Sequence, residues 1–143
     1  MLVPRRIMED LDQAICHCDL SGLQALVRSF ETTHEVKIIR EPSVGLIMIR
    51  AEDSLEGQEF YLGEALTTEC EVSVDGVVGL GICLGEEISR TYCMAVLDAL
   101  RDGESAALVG FVAEQMSLLE QRDQLEFAHV MRTKVDFKLL EQE

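Results

Sequence analysis

Leu66-Thr67-Thr68-Glu69-Cys70-Glu71-Val72-Ser73-Val74-Asp75-Gly76-Val77-Val78-Gly79-Leu80-Gly81-Ile82-Cys83-Leu84 is the stretch that decides the fold. Leu66, Thr68, Cys70, Val72 and Val74 alternate with Thr67, Glu69, Glu71 and Ser73, the period of two that puts successive side chains on opposite faces of a strand. Asp75-Gly76 suits a type I′ turn, whose two central residues both take positive φ. A two-residue turn fixes the register: Val74 faces Val77, Val72 faces Gly79, Cys70 faces Gly81 and Thr68 faces Cys83. One face of this hairpin then carries the apolar residues of its first strand beside two glycines of its second. The other sets Glu71 against Leu80 and Glu69 against Ile82.

Working outward, the period of two extends upstream to Glu35. Val36-Lys37-Ile38-Ile39-Arg40 predicts a strand, Glu41-Pro42-Ser43-Val44-Gly45 a turn, and Glu59-Phe60-Tyr61-Leu62-Gly63 a further strand after a polar loop from Asp53 to Gly57. Leu46-Ile47-Met48-Ile49-Arg50 is almost continuously apolar, the pattern of a central strand covered on both faces. Residues 1–33 read as helical. Ile7, Leu11, Ala14, Ile15, Cys18, then Leu23, Leu26, Val27 and Phe30 recur at three- and four-residue spacing, and Ser21-Gly22 suggests two helices with Asp19 or Ser21 as the second cap. Residues 86–131 are helical again. Ile88, Tyr92, Ala95, Val96 and Ala99 form one stripe, Gly103 ends that helix, and a longer one runs from Glu104 to Met131. In the tail, 132–143, Thr133-Lys134-Val135-Asp136-Phe137 alternates like a short strand. Helices, an antiparallel β-meander over 34–85, then helices again make an α+β fold, with the sheet packed against N-terminal and C-terminal helices in one domain over 1–143.

The 143 residues carry 27 acidic against 12 basic side chains, a net charge of −15. A nucleic-acid binder displaces counterions with a basic face, and an anionic membrane attracts one, so neither is an expected partner. The start of the chain, Met1-Leu2-Val3-Pro4-Arg5-Arg6, lacks the apolar core of a signal peptide, and no apolar run reaches the ~20 residues of a membrane span, so the cytoplasm is the expected location. Cys16, Cys18, Cys70, Cys83 and Cys93 are odd in number and lie mostly within apolar patterns, as reduced thiols do.

Gly79, Gly81 and Gly85 precede a helix, but a phosphate loop needs a Lys and a Ser/Thr at the helix start, and this one opens with Glu86-Glu87. The glycines instead offer a bare face that a helix or a partner can approach closely. Cys16-His17-Cys18-Asp19 does not predict a metal site. Ligands two residues apart on a helix diverge by about 200°, and no second ligand pair completes a tetrahedron. His34 and His129 lack a neighbour to orient them as general bases. Gly63-Glu64, followed by Thr67 and Thr68, places a carboxylate beside a glycine, where it suits either a partner amide or a solvated turn. Arg132, Lys134 and Lys138, three of the twelve basic residues, fall within the last twelve positions, and an alternating basic and apolar tail suits adding a strand to a partner's sheet or pairing within the domain.

In this order the pieces resemble the PhnG family of the bacterial carbon–phosphorus lyase system. Val36–Arg40 with Gly45–Ala51 is similar to the family's first hairpin. Phe60-Tyr61-Leu62-Gly63-Glu64-Ala65-Leu66-Thr67-Thr68 is similar to its central motif. Val72–Gly76 with Gly79 and Gly85 resembles its glycine-marked hairpin, Ala95–Leu100 the following helix, and Thr133–Phe137 its C-terminal signature. The resemblance covers roughly residues 34–138 and leaves the acidity unexplained. It implies a non-autonomous subunit that joins PhnH, PhnI and PhnJ, acts with PhnL, and supports transfer of alkylphosphonate to the ribose C1 of ATP with release of adenine. ATP would be a substrate of the complex, with no cofactor or metal bound by this chain alone and no catalytic residue assigned to it. Gly63, Glu64, Thr68, Asp75, Gly76, Gly79, Gly85, Asp98, Lys134, Val135, Asp136 and Phe137 are the motif positions on which partner contacts are expected. Two other classes compete: a scaffold that self-associates through its sheet, as a homodimer for example, and a hydrolase using Glu64, Glu69 or Asp98. The hydrolase lacks a visible nucleophile–base pair.

Overall fold

Asp75 and Gly76 take φ of 50° and 89°, so the turn forms with the handedness its residues favour. The hairpin around it has the register set by that turn, from Val74 opposite Val77 to Thr67 opposite Leu84. A computed structural model describes residues 10–103 and 105–135. Its helices are α1 (Leu11–His17), α2 (Leu20–Glu31), α3 (Ile88–Ala99) and α4 (Ala106–Met131), and its strands are β1 (Val36–Glu52), β2 (Glu59–Val74) and β3 (Val77–Leu84). The strands form one antiparallel sheet in the order β1-β2-β3. The fold is α+β, with helices before and after the sheet.

The meander has fewer and longer strands than the sequence suggested. Residues 41–45 do not turn. They continue β1, and irregularities between Ile38 and Arg40 and between Arg40 and Ser43 absorb the extra residues as bulges. Pro42 fits there because β1 is an edge strand, where a missing N–H breaks no ladder bond. The run Leu46–Arg50 is therefore neither central nor covered. It lies on the edge and is exposed on both faces. Glu59–Gly63 is likewise the first part of β2 rather than a separate strand.

Asp19 caps α2, its carboxylate accepting from the N–H groups of Ser21 and Gly22 and from the Ser21 hydroxyl. Those bonds, the hydroxyl's first, hold its pKa below the usual carboxylate value. Helix α3 lies directly on the sheet, and Thr91, Cys93–Leu97 and Ala99 are buried. Helices α1 and α2 pack on α3, and α4 packs on α1. The core joins Leu11, Ile15, Leu23 and Val27 to Val72, Val74, Val96 and Leu97. Only Leu108 and Val112 of α4 are buried, so its second half extends away with Leu125, Phe127 and Val130 exposed. Thr133, Lys134 and Val135 do not form the predicted strand, and Asp136 and Phe137 lie outside the described residues.

Candidate functional site: an apolar arm beyond the hairpin and helix

The motif positions fall into two groups. The first builds a unit of hairpin and helix. A Cβ on Gly79 would lie 2.1 Å from the Ala95 carbonyl oxygen, and one on Gly81 would lie 2.0 Å from that of Thr91. The bare face thus seats α3, as the glycine pattern suggested. Asp98, one of the motif residues, closes the sheet edge. Its Oδ2 accepts from the Leu80 N–H at 2.9 Å, and one turn earlier the Met94 sulfur receives the Ile82 N–H at 3.4 Å. Asp98 also pairs with Arg101 at 3.1 Å, which in turn pairs with Asp12 of α1. The Thr68 hydroxyl donates to the Gly85 carbonyl (2.6 Å) and accepts from the Glu87 N–H (3.0 Å), tying β2 to the loop that enters α3. At the hairpin's other end, Asp75 Oδ1 accepts from the Glu35 N–H at 2.7 Å and fixes the start of β1. Thr68, Asp75 and Asp98 thus each bond a backbone group of the fold.

The second group lies beyond the end of β3. There β1 and β2 continue as a two-stranded arm, residues 46–52 against 59–66. One face carries Leu46 and Met48 of β1 across from Leu66 and Glu64 of β2. The other carries Ile47 and Ile49 across from Ala65 and Gly63. Past Gly63 the register slips so that Arg50 faces Tyr61 and Ala51 faces Phe60, leaving Leu62 as the extra residue of a bulge. Leu46 is 64 % exposed, Tyr61 67 % and Leu62 66 %. A Cβ on Gly63 would meet nothing within 4 Å, so this glycine is not needed for packing inside the chain. Glu64 is exposed beside Met48. At the tip, the Asp53 N–H bonds the Gln58 carbonyl and the Gly57 N–H bonds the Asp53 carbonyl, both at 2.9 Å.

A separate groove of 410 Å³ lies between α2, β1 and α3, lined by Val27, Arg28, Glu31, Ile38, Tyr92 and Cys93 among others. It touches none of the motif residues. The Tyr92 hydroxyl donates to Glu31 at 2.6 Å. Burial first, and that bond second, push the Tyr92 pKa well above its ordinary value. Burial, with Glu31 nearby, pushes the Cys93 thiol up to about 11. A thiol held that high is not a nucleophile near neutral pH. His34 is bound locally, its Nδ1 lying 2.8 Å from the Thr33 hydroxyl and 3.1 Å from the Phe30 carbonyl. Among the described residues no three His, Cys, Asp or Glu side chains converge as a metal would require, and no helix is long and apolar enough to cross a membrane.

An arm apolar on both faces and bare in the single chain is the surface of a protein that works in contact with others. Comparison with known proteins agrees. The model of the family described as phosphonate metabolism protein PhnG matches residues 8–142. The chain belongs to the PhnG family. A relative from Rhizobium meliloti (strain 1021), named alpha-D-ribose 1-methylphosphonate 5-triphosphate synthase subunit PhnG, is 34 % identical over 106 residues, which cover 72 % of this chain and 68 % of the relative. The PhnG match reaches into the N-terminal helices, where the sequence had shown only generic helical spacing. Two features had no sequence signal: the capping of β3 by Asp98 and Met94, and the binding of Arg90 to the Ile15 and Cys18 carbonyls (2.6 and 3.0 Å) at the end of α1. Both depend on which elements become neighbours.

Proposed function

We propose that this PhnG-family chain is a non-autonomous subunit of an alpha-D-ribose 1-methylphosphonate 5-triphosphate synthase. It assembles in the cytoplasm with PhnI-, PhnH-, PhnJ- and PhnL-type subunits. ATP and the phosphonate are substrates of the assembly, and this chain binds no cofactor of its own. The observation that carries this reading is the arm. Its apolar residues are displayed on both faces, whereas the polar motif residues Thr68, Asp75 and Asp98 are already engaged within the fold. A chain of net charge −15 is poorly suited to hold ATP and a phosphonate, and well suited to support a basic partner that does. The relative's name supports the same assignment.

The test is co-expression of the tagged chain with PhnI, followed by sizing and an assay of ATP-dependent adenine release. A stoichiometric complex whose activity requires both chains is expected. Glu64→Ala on the arm and Val135→Asp after α4 should each weaken assembly or activity, because both positions are exposed and neither is buried in the core. A chain that elutes alone, with adenine release unaffected by its omission, overturns the proposal.

A further inference from the structure

We infer that the arm, residues 46–52 and 59–66, is a clasped element. One partner subunit of the assembly covers both of its faces, and that partner presents basic residues where the acidic tip arrives. The inference rests on the subunit reading above and says which part of the chain carries the contact.

A two-stranded ribbon projecting into water is marginal unless something packs against it. Among the described residues this ribbon has no such packing. Among the described residues the outer edge of β1 pairs with no strand, and β2 loses β3 beyond Thr67. A strand with one wet face alternates apolar and polar residues, but Leu46-Ile47-Met48-Ile49 does not. Burying either face alone would leave the other apolar row in water, so the pattern calls for cover on both. Leu46, Ile47, Met48, Ile49, Phe60, Tyr61, Leu62 and Leu66 are all between 43 % and 67 % exposed. Together they line both faces of the arm as a continuous exposed apolar surface, the kind that marks a protein–protein contact.

The charges select the occupant. Glu52, Asp53, Glu56, Glu59 and Glu64 stand on or between the two strands against one basic residue, Arg50, which is already paired with Glu59 at 3.0 Å. A second copy of a chain of net charge −15 would bring like charge to that tip. A partner with an apolar cleft and a basic rim meets both the shaft and the tip.

The experiment uses the full chain with the PhnI, PhnH and PhnJ subunits, co-expressed and separately titrated, and three variants. Met48→Lys charges one face, Phe60→Lys charges the other, and E52Q/D53N/E56Q neutralises the tip. All the sites are exposed or lie in the tip loop, so the variants should keep the wild-type melting curve, which is checked first. Each Lys variant should weaken the complex by about 100-fold or more, since it buries an unpaired charge. The tip variant should weaken it by roughly tenfold, mainly through a slower on-rate, and flatten its salt dependence. If wild type assembles and both Lys variants assemble equally well, the arm is not the contact and the inference fails while the subunit reading stands. If only one Lys variant is impaired, the two-faced clasp fails. If the chain alone forms a dimer that Met48→Lys dissolves and tip neutralisation tightens, the occupant is a second copy and the inference fails. If wild type binds none of the subunits, the subunit reading fails and the arm inference falls with it.

Discussion

Gly81→Ala is the sharpest test of how the hairpin and α3 fit together. The new methyl would sit 2.0 Å from the Thr91 carbonyl oxygen and 2.9 Å from the Ala95 N–H nitrogen, both backbone atoms of α3. Neither can swing aside as a side-chain end can. Relief requires the helix to retreat until the first distance reaches at least 3.4 Å. Overpacking of this kind costs about 1–3 kcal/mol. The retreat also pulls Asp98 and Met94 from the Leu80 and Ile82 N–H groups, and an orphaned backbone donor adds about 1–3 kcal/mol. A loss of about 3 kcal/mol or more is expected, which for a chain of this size lowers Tm by roughly 10 °C. Gly79→Ala, at 2.1 Å from the Ala95 oxygen, should behave alike. Gly63→Ala is the control: with nothing within 4 Å of its Cβ, it should stay within about 0.5 kcal/mol of wild type. Urea unfolding followed by far-UV circular dichroism reads all three. A Gly81→Ala protein as stable as Gly63→Ala would refute the claim that these glycines exist to seat the helix, and would reopen a ligand role for them.

Thr68→Val keeps the shape but removes the bonds to Gly85 and Glu87, and should cost about 1–3 kcal/mol in the same unfolding assay. Asp98→Ala should cost a similar ~1–3 kcal/mol and speed hydrogen exchange at the Leu80 amide selectively, as read by NMR. Stability should fall as the solution turns alkaline. Cys93 is raised from 9.0 to about 11 in the fold, so above pH 9 the unfolded chain sheds this proton first and is favoured. The loss from Cys93 alone is about 2 kcal/mol at pH 11, and the raised Tyr92, Cys18 and Cys70 act in the same direction. Stability that is flat from pH 8.5 to 11 would contradict that burial. With an aromatic disulfide reagent at pH 8, one thiol should react quickly, the exposed Cys16, and the buried Cys18, Cys70, Cys83 and Cys93 should lag by orders of magnitude.

The hairpin was legible because a two-residue turn leaves one register, and the glycine face was legible because two missing side chains on one strand need a close neighbour. The helices were legible from their spacing, and of the two cap candidates, Asp19 and Ser21, the structure uses Asp19. Residues 41–45 misled because Pro42, Ser43 and Gly45 are turn formers. Whether such residues turn or bulge depends on the strand opposite, and here β2 runs straight through from Glu59 to Val74. Thr68 and Asp98 stood out as motif residues, but their work could not be read locally. Each bonds a backbone group 17 to 19 residues away in sequence, brought near only when the hairpin closes and α3 docks.

The run Leu46–Ile49 was read correctly as a strand, and wrongly as a central one covered on both faces. Hydrophobic patterning reports that burial occurs, and it does not report which chain supplies the covering atoms. In a self-sufficient domain the distinction is idle, because each apolar run finds its partners within the same core. Here it divides the molecule. From Thr67 to Ala99, Gly79 and Gly81 seat α3, and Thr68, Asp75 and Asp98 bond the chain's own backbone. From Leu46 to Leu66 the apolar rows of the arm have no internal partner among the described residues. On the proposed reading the sequence specifies an unfinished structure, and another subunit of the assembly supplies the cover that the arm lacks.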